Sequence, residues 1–417
     1  MVSVPGTQEE CLKCKGGKML CGLTFCPIVL RSRALIPLRK AIPKLKNDYY
    51  GPSPPSVFVG RYGYPKVRIG PMATLGSDIV NIVDEPDHWK TTMSMADIVG
   101  FRARLLRFIA PPIEVKSASN PTRLIEITQD QVQSSIPVDL EIRFEKRPRI
   151  GLSFSRFNQP MGAHVQFSSV QLASTPKIAY STDKIVSDTD LYSNQAINQL
   201  YKGKHTVTQI TRLFSSGLLG LSKNRRFVPT RWSITAVDDI IGNQLRNQIR
   251  DFAELSSYLV FHNSYLDNDF WILFIPKHEW FFNYHEAWKQ NSAWNLGGKE
   301  PTILTDVEGP KGRTTYASNT VGGYYAARLA IQEKLVQMRR KAAVLAFREV
   351  GAGYAIPLGV WQVRENMRQA LKNEPISFSS LEDALKYISK RLTIPMIYYR
   401  RNSPLLNRST LDQFLTL

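Results

Sequence analysis

The four cysteines of this 417-residue chain, Cys11, Cys14, Cys21 and Cys26, all lie within one sixteen-residue segment. Whatever the thiols do, they do locally, and the rest of the chain must hold together by packing. Their spacing is C-x2-C-x6-C-x4-C. Four thiolates this close in sequence can close a tetrahedron around Zn2+, with Zn–S distances of about 2.3 Å. Gly16, Gly17 and Gly22 give the backbone the freedom a knuckle needs to aim amides at sulfur. Lys13, Lys15 and Lys18 offset a site charge of about −2. An iron–sulfur cluster uses the same donors, and the spacing does not exclude it. Two disulfides would suit a secreted mini-domain, which the rest of the sequence does not resemble. A closed four-thiolate site is structural, so it implies a fold element or a DNA-contacting module, not catalysis.

The remaining chain is long enough for two or three domains, and its 43% hydrophobic content indicates a folded protein. No apolar run reaches 18 residues, and the first 25 residues carry Lys and Cys where a signal peptide needs an apolar core. The expectation is a soluble, cytoplasmic, nucleoid-associated protein with no membrane partner. The net charge of +19 is uneven: residues 1–68 carry twelve basic and three acidic side chains, and residues 328–408 carry fifteen and six. Two basic ends around a nearly neutral middle suggest a polyanion, with DNA the expected partner. Lys13, Lys15, Lys18, Arg31, Arg33, Arg39 and Lys40 are the candidate contacts at the N-terminal end.

The patterning predicts an α+β fold: an N-terminal four-cysteine zinc knuckle, a mixed or antiparallel sheet core, and a helical C-terminal third. Six prolines between Pro27 and Pro55 disfavour regular helix and suggest an extended segment over residues 27–70. Residues 94–108 read as a helix capped by Ser94 and Asp97, with Arg102, Arg104 and Arg107 on a solvated face. Residues 138–146 alternate as a half-buried strand. Residues 257–276 read as a hairpin around Asp267–Asn268. Helical periodicity marks 188–200, 206–216, 235–250 and 359–372, one long Ala- and Leu-rich helix over 322–350, and a helix at 379–392 boxed by Ser379 and Glu382.

The chain ends RSTLDQFLTL after a polar linker. Leu411 and Phe414 stand at i and i+3, with Leu415 beside them, so one 3₁₀ turn makes a compact apolar plug. Folding back onto its own domain is the competing reading. RSTLDQFL resembles the PCNA-interacting peptide: Leu411 fits the aliphatic position, and Phe414 and Leu415 fit the bulky pair. Arg408 stands where Gln is usual, a loss of about 0.5–1.5 kcal/mol, or roughly two- to tenfold in affinity. A micromolar interaction with the PCNA sliding clamp is expected.

SSGLLGLSKNRRFVPTRWSITAVDD (215–239), GGYYAARLA (322–330) and IPLGVWQVRE (356–365) make the chain similar to the archaeal Nre family of DNA-repair proteins. That resemblance implies a zinc finger with Cys11, Cys14, Cys21 and Cys26 as ligands, a role at damaged DNA, and clamp binding through Arg408 to Leu415. It divides the chain into a zinc-finger segment (1–30), an Nre-type N-terminal α+β domain (31–310), an Nre-type helical C-terminal domain (311–400) and a tail with the clamp peptide (401–417).

An enzyme remains an alternative, as a nucleotide- or DNA-processing hydrolase or nuclease delivered by the clamp. No P-loop appears. Arg231, Asp238 and Asp239 are a candidate set for Mg2+ or a phosphate, with helix-dipole pairing of the two Asp in a first turn as the plain reading. Asp306, Glu308, Lys311 and Arg313 precede a Gly-led helix N-terminus, a candidate anion-binding loop. KHEWFFNYHEAW (277–288) is not HExxH, and aromatic packing explains it better than metal. An RNA- or ribosome-associated zinc protein is a third class, resting on charge alone.

Overall fold

Two six-stranded sheets organise the chain, each in its own unit. The structure, a computed structural model, describes residues 8–45, 47–75, 78–89, 93–146, 148, 161–403 and 406. A host unit is built from residues 1–28 and 242–417, and an inserted unit from 29–241. The fold is α+β with mixed sheets, as the patterning implies. No helix among the described residues is long and apolar enough to cross a membrane.

The inserted unit contains β1 (Asp48–Ser53), β2 (Val57–Val59), β3 (Ile69–Thr74), β4 (Leu105–Ile109), β5 (Val138–Phe144) and β6 (His164–Leu172). They lie in the order β1-β5-β6-β4-β3-β2. Only β6 and β4 pair in parallel. β5 alternates as expected, with Val138, Leu140, Ile142 and Phe144 buried. Those residues join Leu106, Phe108 and Val165 in a core closed by Leu38 and Ile127 from the helices Ile36–Ala41 and Arg123–Gln133.

Two expectations fail here. The Pro-rich stretch does not begin extended: it forms helices Pro27–Ala34 and Ile36–Ala41 and the 3₁₀ turn Ile42–Lys44. Pro27, Pro37 and Pro43 each stand in a first turn, where a missing N–H loses no intrahelical acceptor. The helix begun at Met95 stops at Arg104. Its capping box is as expected, since Ser94 Oγ accepts from the Asp97 N–H at 3.2 Å and the Asp97 carboxylate accepts from the Ser94 N–H at 2.9 Å. LLRFI then becomes β4, buried at all five positions. A strand covered on both faces shows no alternation, so its apolar run continues the helical pattern without a visible break.

The host unit contains β7 (Tyr258–Tyr265), β8 (Asn268–Ile275), β9 (Phe281–Trp288), β10 (Thr302–Glu308), β11 (Ala343–Val350) and β12 (Ile376–Phe378). Their order is β10-β9-β11-β8-β7-β12, with only β9 and β11 parallel. The β7–β8 hairpin turns on Leu266 and Asp267, one residue earlier than the patterning placed it. Both have positive φ, 54° and 53°, as a two-residue turn matching strand twist requires. Beside it, a Cβ on Gly351 would fall 2.2 Å from an Asp267 carboxylate oxygen, so a side chain there would displace the carboxylate that accepts from the Gly353 N–H at 2.6 Å.

Helices cover both faces of this sheet. Phe270, Ile272, Phe282, Val344 and Ala346 meet Ala326, Ala327 and Ala330 of the helix Gly322–Met338 and Val363 and Met367 of the helix Trp361–Lys372. On the other face Trp271, Leu273, Leu345 and Phe347 meet Ala384, Leu385 and Ile388 of the helix Leu381–Ser389, and Tyr399. The long helix expected over 322–350 is therefore half right. It ends at Arg339, whose φ of 52° breaks it, and AVLAFREV becomes the central strand β11, buried at all eight positions. The C-terminal third is a mixture of helix and strand, not helical. The cap of Leu381–Ser389 is Ser380 with Asp383, one residue beyond the predicted pair.

Candidate functional site

The four cysteines belong to the host unit. The helix Gln8–Cys14 carries Cys11 and Cys14 three residues apart, hence on one face. After it the chain turns through positive φ at Lys15, Gly16, Met19 and Gly22. These turns aim the backbone N–H groups of Leu20, Gly16, Lys18 and Met19 at the Cys14 sulfur and lower its pKa, the first of them most. Cys14 is buried, and Cys11, Cys21 and Cys26 are half-buried. Gly22 lies against Asn291 of the same unit. The environment of Cys14 suits a thiolate ligand, but the zinc knuckle expected as part of the fold is not present as a formed site. Among the described residues no group of three or more His, Cys, Asp or Glu side chains is gathered to hold a metal.

Six of the seven N-terminal basic candidates, Lys13, Lys15, Lys18, Arg33, Arg39 and Lys40, are exposed, and Arg31 is half-buried. Exposure leaves their charges available to a polyanion. Arg231 is exposed in the first turn of the helix Thr230–Ile249, whereas Asp238 is buried and Asp239 half-buried. Seven residues of helix separate Arg231 from Asp238 by about 10 Å along the axis. The two Asp also stand in the third turn, not the first. The clamp peptide, Arg408, Leu411, Phe414 and Leu415, lies outside the described residues.

The host unit also holds a buried ionic layer that sequence reasoning missed. Glu286 of β9 and Arg348 of β11 are register partners in the parallel pair, joined by a 2.6 Å contact. Arg348, only 4% exposed, also donates to Asn268 Oδ1 at 2.9 and 2.7 Å and to Gln362 Oε1 at 3.3 Å. Burial pulls its pKa down, but the Glu286 carboxylate together with Tyr284 and Tyr354 outweighs burial and the net shift is upward. Arg328 and Glu308 form a second pair at 3.0 Å, and Trp280 Nε1 donates to the same carboxylate at 2.5 Å.

The loop proposed for anions turns inward on itself. Asp306 accepts from Thr320 N and Oγ1 at 2.8 and 2.9 Å, and Arg313 lies 3.3 Å from it. Arg313 spends its other donors on the carbonyls of Val307, Thr315 and Tyr316. These contacts brace Val321, whose φ of 45° a β-branched residue rarely adopts. Gly323, in the first turn of the helix that follows, has room for a Cβ only 3.1 Å from the Glu286 carboxylate. A protein carboxylate thus lies beside the first turn of that helix, where negative charge is favourable. The layer is an electrostatic brace for two helices and four strands. The signal that could have found it is an ionic residue inside an apolar run, as in VLAFREV and FNYHEAW.

His285 confirms the aromatic reading of its segment. It is fully buried, stacked on Phe347 with centroids 5.3 Å apart, and its Nδ1 lies 2.8 Å from Thr305 Oγ1. His278 is exposed and pairs with Glu254 at 2.9 Å. Burial lowers the His285 pKa from 6.5 to about 3. The unfolded chain binds a proton below 6.5 that the native imidazole refuses until about 3, so stability falls as pH drops through that window, by at most about 1.4 kcal/mol per unit. Denaturant unfolding at pH 7 and pH 5 is expected to show this loss, and His285→Phe to reduce it. An unchanged pH dependence in the variant would remove His285 from the account.

A family model described as "Archaeal Nre, N-terminal" matches residues 20–295, and one described as "Archaeal Nre, C-terminal" matches 308–416. The chain belongs to the archaeal Nre family. It is 37% identical to "DNA repair protein NreA" of Archaeoglobus fulgidus, over 94% of this chain and 95% of that one. It is 34% identical to "DNA repair protein NreB" of the same organism, over 97% and 100%, and 31% identical to "DNA repair protein NreA" of Haloferax volcanii, over 86% of each. No solved structure matches.

Proposed function

We propose that this chain is a DNA-repair factor that docks on the PCNA sliding clamp through residues 408–415, carries structural zinc at its four cysteines, and meets DNA through its basic ends. The observation that carries the reading is likeness along nearly the whole length to proteins named for DNA repair. Support for the clamp comes from the terminal peptide, which places Leu411, Phe414 and Leu415 in the spacing of a clamp-binding turn. Burying one Leu and one Phe contributes roughly 1.5–3 kcal/mol each, set against ordering of the tail, and gives micromolar binding. Support for DNA contact comes from the exposed Lys and Arg of the N-terminal end.

The test is calorimetric titration into PCNA of the same organism, beside a chain cut after Asn407. Micromolar binding that vanishes on truncation is expected. Equal binding by both chains would move the clamp contact elsewhere, and no binding by either would remove PCNA from the proposal.

A further inference from the structure

Among the described residues the inserted unit buries two arginines, Arg107 and Arg212. They are treated in opposite ways. Arg212 is held by the carboxylates of Asp84 and Glu85. Arg107, 8% exposed on β4, has no carboxylate within 4.0 Å among the described residues. Its NH1 lies 3.3 Å from Met161 Sδ, one NH2 bond reaches the Gly162 carbonyl at 3.3 Å, and NH2 also meets His164 Nε2. Its Nε, itself shut off from solvent, has no hydrogen-bond partner among the described residues. A buried guanidinium normally has a counter-ion, because desolvating a charge without one is unfavourable.

On this face Arg107 borders a small apolar cluster of Met72, Ile79, Val83 and Leu105, with Phe58 and Phe101 packed against it, and its neighbour His164 is exposed. Strand register puts Phe58, Met72, Arg107 and His164 on one face of the sheet, opposite the core face that carries Leu106, Phe108 and Val165. Phe58 lies under the guanidinium at 5.2 Å. His164 leads from the guanidinium to solvent: it is exposed, as are Gln166 and Ser168 further along the same face of β6. Since His164 Nε2 accepts from a guanidinium that can only donate, its proton is on Nδ1, a further donor. Among the described residues the result is a buried planar cation with one unpaired N–H, a neighbouring imidazole N–H and no carboxylate partner.

We propose that Arg107 and His164 form a phosphate-binding site on this face, accepting either a terminal phosphate or the phosphodiester of a DNA strand. A guanidinium presents its donors in the geometry that phosphate oxygens match. The lowered pKa of Arg107, about 10, and of His164, about 4, both led by burial, have the sign expected of a buried cation without a counter-ion. The inference goes beyond the repair reading, since it uses neither the basic ends nor the tail, and a phosphate ligand can be tested without DNA.

The experiment titrates the full chain, Arg107→Met and His164→Gln with inorganic phosphate, a deoxynucleoside monophosphate and a single-stranded oligodeoxynucleotide. Melting temperature is recorded for each protein without ligand. Arg107→Met is expected to lose about tenfold or more in affinity for whichever probe binds and to melt no lower than the parent, because an uncompensated charge has been removed. His164→Gln is expected to lose a few-fold while melting normally. Binding of phosphate or mononucleotide assigns the site to a terminal phosphate; binding of the oligonucleotide alone assigns it to the phosphodiester. An Arg107→Met protein that melts lower yet binds every probe as the parent does would show a purely structural arginine and overturn the proposal. Failure of all three probes to discriminate His164→Gln and Arg107→Met from the parent would overturn it as well.

Discussion

Arg348→Met is expected to destabilise the host unit by about 3–5 kcal/mol, the loss typical of breaking a buried ion pair by removing one partner. The reason lies in what remains. Glu286 would keep its carboxylate in the interior without its charged partner, with Tyr284 Oη 3.2 Å away to donate to it, and Asn268 Oδ1 and Gln362 Oε1 would lose their shared donor. Methionine fills much of the guanidinium's space, so a cavity contributes little. Glu286→Leu combined with Arg348→Met removes both charges, and the pair should couple by about 2 kcal/mol or more, leaving the double variant less destabilised than the two single losses predict. Tryptophan fluorescence in denaturant reports mainly this unit, which holds Trp271, Trp280, Trp288, Trp294 and Trp361, against Trp89 and Trp232 in the inserted one. A single-variant loss below about 1 kcal/mol, or strictly additive losses, would mean that the pair is solvated in solution.

That pair also shows where reading the sequence ran out. β5 was legible because one face of it is solvated, so VDLEIRF alternates. The Ser94–Asp97 box was legible because capping is local chemistry between residues three apart. β4 and β11 were not, since burial on both faces erases the period of two that distinguishes strand from helix. The prolines misled because position in a helix decides their effect, and three of them occupy first turns. The same limit applies to the sites. Four cysteines in sixteen residues form a local motif, whereas Glu286 and Arg348 are sixty-two residues apart and meet only because a crossover helix returns β11 beside β9. Arg107 was taken for a solvated side chain, because nothing in LLRFI says which side of a sheet its third residue faces.

The zinc proposal makes the other large prediction. The full chain prepared with zinc is expected to contain one equivalent, and Cys14→Ser to contain close to none. Cys14 is the informative position: it is buried, and four backbone N–H groups converge on its sulfur and favour the thiolate that a metal requires. Serine would present those amides with a hydroxyl that is a far poorer ligand. Structural zinc at a four-thiolate site in a small domain is worth roughly 10–16 kcal/mol of apparent binding free energy near neutral pH, so a strong chelator is needed to remove it. Chelation should then loosen the turns through Lys15, Gly16, Met19 and Gly22, and trypsin reports this directly because Lys13, Lys15 and Lys18 are exposed within the segment. Faster cleavage at these lysines after chelation, with the helix Gly322–Met338 still protected, would tie the metal to the local fold. Iron in place of zinc would reassign the motif to a cluster. A metal-free chain whose Cys14→Ser variant is cut at the same rate as the parent would leave the convergent amides as an ordinary turn around a buried thiol.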